Sequence, residues 1–160
     1  MILGNKAIQE FIKNGDIQIQ PNFNEKNIQP NSIDLYLDDL IIYENKEYKN
    51  FILPPNHFCL GSTIEKITLS KNVCGIVQGC STEGRGGLQI ECAGLIDSGF
   101  SGTITLEIKN LNHNKNINLE KGMRICQILF YQVLDCDTLY SGRYQNQSKT
   151  TKGKLLNDKK

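Results

Sequence analysis

The chain has 160 residues, 39% of them apolar and 22% charged, with a formal net charge of +1. That length suits one domain with a real core, and the balanced charge gives no global attraction to nucleic acid or to an acidic membrane surface. No apolar run reaches the ~20 residues of a membrane span, and Met1-Ile2-Leu3-Gly4-Asn5-Lys6 lacks the basic and apolar regions of a signal peptide, so a cytoplasmic protein is expected.

The first predicted element is a helix, with Asn5 as N-cap, a stripe of Ala7, Ile8, Phe11 and Ile12, and Gly15 just past the last turn. Strands are expected at residues 17–19, 32–37, 40–43, 58–60, 64–69, 75–78, 88–91, 103–109, 117–119 and 125–133, from their β-branched and apolar runs. Pro54-Pro55-Asn56, Gly84, Gly86-Gly87, Gly99 and Lys121-Gly122 supply turns between them. Many short strands with turn residues at close intervals indicate a mainly β protein, a distorted jelly roll or barrel carrying an N-terminal helix. Residues 1–147 read as that domain and 148–160 as a mobile polar tail.

Two carboxylates stand out. Between Gly102 and Lys109, Ile104, Leu106 and Ile108 share one face, so Thr103, Thr105 and Glu107 share the other. Asp97 precedes this strand on the turn Ile96-Asp97-Ser98-Gly99. Alternation alone makes these a solvated strand glutamate and a turn aspartate. The six cysteines, at 59, 74, 80, 92, 126 and 136, form no Cys-x-x-Cys pair; Cys59, Cys74, Cys92 and Cys126 lie in apolar runs and read as small buried hydrophobes in a reducing compartment. The segment Gly79-Cys80-Ser81-Thr82-Glu83-Gly84-Arg85-Gly86-Gly87-Leu88 reads as a loop whose amides and hydroxyls could approach a phosphate, or simply as tight turns between strands.

Taken in order, Gln29-Pro30-Asn31-Ser32-Ile33-Asp34-Leu35, Leu60-Gly61-Ser62-Thr63, the segment 79–88, Ala93-Gly94-Leu95-Ile96-Asp97-Ser98-Gly99-Phe100-Ser101-Gly102 with Thr105-Leu106-Glu107, and Arg143-Tyr144-Gln145-Asn146-Gln147 resemble the dCTP deaminase branch of the dUTPase superfamily. The resemblance spans nearly the whole chain, and motifs in register are far more specific than any one alone. It departs at Cys80, where the family has arginine, at Glu83, where it has an apolar residue, and in the spacing from Leu88 to Asp97, one residue shorter than in deaminases. Losing a cation and gaining an anion weakens a triphosphate site unless a cation elsewhere compensates.

The resemblance implies zinc-independent hydrolysis of dCTP to dUTP and ammonia. It gives Glu107 the proton transfers that attack on C4 of cytosine requires, Ser81 and Arg85 the orientation of ring and water, and the carbonyl of Ala93 a bond from that water. It makes Asp97 the general base for water attack on the α-phosphate and the contact to the sugar 3′-hydroxyl. Ala93-Gly94-Leu95-Ile96-Asp97 is nearer the form of deaminases that continue to dUMP and pyrophosphate. Thr82 matches a phosphate-binding hydroxyl, and Tyr140, Arg143, Tyr144 and Gln147 match a lid beginning at about residue 140. Zinc-dependent cytosine deaminases carry His-x-Glu and Pro-Cys-x-x-Cys motifs, and neither pattern occurs here. Mg²⁺ is expected to arrive with the triphosphate, held mainly by phosphate oxygens and water, with no protein metal ligands. The partners implied are dCTP and dUTP, dTTP as a candidate inhibitor, and a homotrimer with shared active sites. A dUTP pyrophosphatase on a deaminase-like scaffold and a catalytically weak nucleotide-binding regulator remain alternatives.

Overall fold

The computed structural model describes residues 1–21, 23–91 and 94–154. Helix α1 (Asn5–Lys13) opens the fold. Its N-cap is Gly4 rather than Asn5, with no side-chain capping bond, and the Gly4 carbonyl accepts from Ile8 N at 2.9 Å. Gly15 behaves as expected: its φ of +82° closes the helix, and its N–H reaches Ile12 O at 3.1 Å. Ile8 is fully buried, with Ala7, Phe11 and Ile12 packed against the core.

Eleven strands follow among the described residues: β1 (Ile17–Gln20), β2 (Ile33–Tyr36), β3 (Ile41–Tyr43), β4 (Lys46–Tyr48), β5 (Phe51–Leu53), β6 (Phe58–Leu69), β7 (Val73–Gly79), β8 (Leu88–Glu91), β9 (Ser101–Asn110), β10 (Ile117–Leu119) and β11 (Arg124–Gln132). One sheet runs β4-β3-β6-β9-β8, with β1 also on β6; a second runs β2-β11-β7, and β5 pairs with β10. All the named strand pairs are antiparallel. The core between the sheets includes Phe130, Leu35, Ile67, Leu106 and Ile128, each fully buried. This is the expected mainly β, jelly-roll-like architecture with an N-terminal helix.

Three local differences have physical causes. Residues 58–69 are one strand rather than two, because a bulge between Ser62 and Lys66 absorbs the polar break. Thr63 bridges that bulge, donating to Glu65 O at 2.7 Å and accepting from Ile104 N at 3.0 Å. Strands β4 and β5 are absent from the sequence reading: Lys46 and Glu47 mask the pattern of β4, and β5 is an apolar run of three residues; Glu44 and Asn45, both at positive φ, turn the chain between β3 and β4. Packing of Tyr43 and Tyr48 on Phe51, with ring centroids 4.8 and 4.9 Å apart, anchors this hairpin.

The third difference lies at residues 81–85, read from sequence as a glycine-rich loop. They form a short helix, α2 (Ser81–Arg85). Cys80 O accepts from Gly84 N at 2.9 Å and Thr82 O from Gly86 N at 3.1 Å, so the carbonyls satisfy one another in a helical turn. Gly87, at φ +88°, ends it, and a side chain there would drive into Asn112, which caps Gly86 O at 2.9 Å.

Candidate active site

Strand β9 carries Glu107 as the alternation predicts. Ile104, Leu106 and Ile108 are buried, while Thr105 and Glu107 are half-buried on the opposite face. Glu107 sits across from Leu60 on β6 and from Glu91 on β8. Residues directly opposite in an antiparallel pair project to the same side, so Glu91 is a second carboxylate beside it, which sequence reasoning missed. Gln89 Nε2 donates to Glu91 Oε1 at 2.9 Å.

The turn before β9 places Asp97. Ile96 pairs with Gly75 through two 2.9 Å backbone bonds, and Asp97 O accepts from Phe100 N at 3.1 Å, leaving the Asp97 side chain exposed above the strand ends. Gly99, at φ +84°, turns the chain, and its missing side chain makes room for Leu139 and Tyr140.

The segment from Tyr140 onward is laid along this turn and strand. Tyr140 N donates to Ser98 O at 2.8 Å, and its ring meets Phe100 at 5.8 Å. Gln145 binds Gly99 O at 2.8 Å and Ser101 N at 2.9 Å. Gln147, expected as a phosphate donor, directs Nε2 to Thr103 O at 2.6 Å, while its Oε1 and Thr103 Oγ1 are buried without a hydrogen-bond partner among the described residues. Arg143 and Tyr144 hold the chain further on: Arg143 Nη1 donates to Lys154 O, and Tyr144 OH accepts from Lys154 N at 3.1 Å.

Residues 148–154, expected to trail as a mobile tail, are docked. Thr150 is 2% exposed, and its hydroxyl donates to Leu40 O at 2.6 Å and lies 3.0 Å from Ser62 Oγ. Thr151 N donates to Thr105 Oγ1 at 3.3 Å. A threonine can bury here because its hydroxyl meets carbonyl and hydroxyl partners; no polarity pattern reveals that. Residues 155–160 lie outside the described residues.

Two clefts result. The first, about 260 Å³, is lined by Leu60, Leu95, Asp97, Thr105 and Glu107 from the sheet and its turn, and by Tyr140, Tyr144, Gln147, Thr151 and Gly153 from the C-terminal segment. The second, about 430 Å³, is lined by Cys80, Ser81 and Thr82 at the start of α2 together with Gln29, Ser32, Asp34, Arg124 and Gln127. The two have no lining residue in common. One chain therefore brings Glu107 together with Asp97, Tyr140, Tyr144 and Gln147, and holds Ser81 and Thr82 elsewhere. Arg85 and Arg143 are exposed and line neither cleft. Ala93 lies outside the described residues, as does Cys92.

Asp34, Arg124 and Gln127 were given no role from sequence. Arg124 Nη1 contacts Asp34 Oδ2 at 3.2 Å, Gln29 Nε2 donates to the same oxygen at 3.0 Å, and Ser32 donates to Gln127 Oε1 at 2.8 Å. The hydrogen bond to Asp34 and its charge hold the Arg124 guanidinium above its ordinary value. Burial pushes the Cys80 thiol up, against the pull of Arg124. Cys59, Cys80 and Cys126 are buried; Cys74 and Cys136 are half-buried, so the buried-hydrophobe reading of Cys74 fails on the outward face of β7. Among the described residues no three His, Cys, Asp or Glu side chains are grouped to hold a metal ion, and no helix is long and apolar enough to cross a membrane.

Residues 41–133 match the family model described as dCTP deaminase-like. The chain belongs to the dCTP deaminase-like family. Among its relatives, a "dCTP deaminase, dUMP-forming" of Sulfurihydrogenibium sp. is 36% identical, aligned over 99% of both chains. One of the same name from Hydrogenobaculum sp. is 42% identical over 81% of each. The fold agrees with this family. The 2′-deoxycytidine 5′-triphosphate deaminase of Agrobacterium tumefaciens superposes with a TM-score of 0.67 at 18% identity, covering 83% of this chain and 48% of that one. The EIAV dUTPase superposes with a TM-score of 0.57 at 22% identity, covering 81% and 98%.

Proposed function

We propose that this chain hydrolyses dCTP to dUMP in two steps at one site, dCTP and water giving dUTP and ammonia, then dUTP and a second water giving dUMP and pyrophosphate. The observation that carries the reading is the first cleft, which gathers Glu107 and Asp97 under Tyr140, Tyr144 and Gln147 in a chain whose relatives are named dUMP-forming dCTP deaminases. Its product would enter dTTP synthesis, which makes dTTP a candidate inhibitor, and the place of work is the cytoplasm.

In the first step water adds to C4 of the cytosine ring. Glu107 takes one proton from the water and passes it to the ring nitrogen, then moves the second, from the new C4 hydroxyl, to the amino group, which departs as ammonia as the C4 carbonyl forms. Ser81 and Arg85 orient ring and water, and the Ala93 carbonyl accepts a hydrogen bond from the water. In the second step Asp97 draws the proton from a water that attacks the α-phosphate, and pyrophosphate leaves. Thr82, Tyr140, Arg143, Tyr144 and Gln147 hold the sugar and phosphates. Neither step uses zinc.

Mg²⁺ fits this reading as a passenger of the triphosphate, held mainly by phosphate oxygens and water, and when bound the ion neutralises phosphate charge.

The same reading includes a homotrimer with active sites shared between copies. Glu107 and Ser81 line clefts with no common residue, so a working site needs the first cleft of one copy closed by the second cleft of its neighbour.

Incubating the full chain with dCTP or dUTP and Mg²⁺, then separating the nucleotides, tests the proposal. It expects dUMP, ammonia and pyrophosphate from dCTP, with Glu107→Gln releasing no ammonia while still binding nucleotide. Accumulating dUTP would remove the second step, and dUMP from dUTP alone would leave a dUTP pyrophosphatase. Binding without turnover of either would leave a regulator.

A further inference from the structure

The second cleft is rich in hydrogen-bond donors and carries one cation. Of its lining residues only Asp34 and Arg124 are charged, and Ser81, Thr82, Gln29 and Asn31 add hydroxyl and amide groups. The two charged groups are unlike in setting. The Asp34 side chain is 8% exposed and accepts from both Gln29 and Arg124, whereas the Arg124 side chain is 50% exposed.

Arg124 starts β11 at an irregularity in its pairing with β2, where the register shifts between Arg124 and Cys126. The adjacent position on the other neighbour is Cys80, whose N–H reaches Ile125 O at 3.3 Å. Residue 80 and residue 124 thus border the same wall. Cys80 is an uncharged thiol, and burial raises its pKa, so the positive charge on that wall is Arg124's.

We propose that Arg124 is the residue that receives the nucleotide's phosphate chain, with Asp34 fixing its guanidinium and Thr82 adding a hydroxyl bond beside it. Among the described residues its one hydrogen-bonded partner is Asp34. The remaining N–H groups of the fork are therefore placed to meet phosphate oxygens, a geometry that suits guanidinium better than ammonium. The proposal rests on the functional reading above and deepens it, since it names the cation that compensates for position 80 not being arginine.

The test compares dCTP with deoxycytidine, which has the base and sugar but no phosphate, on the wild-type full chain and on Arg124→Gln, with Mg²⁺ present. A charge-assisted bond to phosphate lost in a screened cleft predicts a rise of about tenfold to hundredfold in the dissociation constant for dCTP, a shallower salt dependence, and unchanged deoxycytidine binding. Equal dCTP affinity in the two proteins, or equal weakening of both ligands as a merely structural arginine would give, overturns the proposal.

If Arg124→Gln does not fold, phenylglyoxal labelling of the wild-type chain decides, read by peptide mass. Inorganic triphosphate with Mg²⁺ is expected to slow labelling of Arg124, and an unchanged rate overturns the assignment. A wild-type chain that binds dCTP but never turns it over refutes the enzymatic reading while leaving the Arg124 contrast measurable. One that binds no dCTP refutes both.

Discussion

Replacing Thr150 with valine removes one hydroxyl at the point where the C-terminal segment is pinned to the sheet. Valine has the same shape, so the packing stays while the Leu40 carbonyl and the Ser62 hydroxyl each lose a partner. Thr150 is 2% exposed, so water does not replace that partner without opening the segment. Leaving buried groups unsatisfied costs about 1–3 kcal/mol, which raises the population of the undocked segment by about fivefold to 150-fold. Lys149, Lys152 and Lys154 flank the pin, so trypsin reports the opening directly: when reclosing is fast, cleavage tracks the open population. The expected result is faster cleavage at these lysines by that factor, little change in the global unfolding temperature, and a raised KM, because Thr151 and Gly153 line the first cleft. Cleavage at the wild-type rate would refute the pin.

Three further outcomes test other parts of the account. Gly99→Ala puts a Cβ 2.7 Å from Leu139 Cβ at a φ of +84°; a strain of about 1–2 kcal/mol lowers the unfolding temperature by about 2–8 °C for a chain of this size and loosens residues 139–147 in hydrogen exchange, whereas an unchanged melt would contradict that packing. Burial holds the Glu65 carboxyl above its ordinary 4.5, with Asp38 adding to the rise and the Tyr36 N–H opposing it. A raised folded value means that its contribution to stability is full below the unfolded pKa and is lost as pH climbs through the folded one, so Glu65→Gln gains on the wild type in urea midpoint between pH 4 and pH 8, and a variant that loses ground as pH rises would refute this. Burial pushes the Cys59 thiol up to about 12, so iodoacetamide at pH 8 spares it in the folded protein, as peptide masses would show; alkylation at a free thiol's rate would contradict its burial.

The strands that read most clearly were those whose side chains sort by face. Leu88–Glu91 and Ile117–Leu119 stand where their apolar runs put them, and Glu107 faces away from Ile104, Leu106 and Ile108 as period two requires. Boundaries failed where a local pattern lost to a partner. The bulge held by Thr63 joins two expected strands into one, and the helix at Ser81–Arg85 forms because its carbonyls find amides within the turn. Of the candidate site, Asp97, Glu107, Tyr140, Tyr144 and Gln147 are gathered in one cleft. Glu91, Asp34 and Arg124 were illegible because their place depends on cross-strand register, which a single strand's pattern does not encode. The docking of Thr150 rests on partners more than eighty residues away, beyond the reach of any local signal.

The central claim, a site made from Glu107 of one copy and Ser81 of another, is tested most directly by complementation. Glu107→Gln and Ser81→Ala, each expected to be inactive alone, are co-expressed in equal amounts and assayed for ammonia release from dCTP. Random assembly of a cyclic trimer with sites between neighbours gives both intact residues in about a quarter of the sites, so the mixture is expected to recover about a quarter of wild-type activity. A mixture as inactive as its parents, from oligomers shown to contain both variants, would contradict the claim.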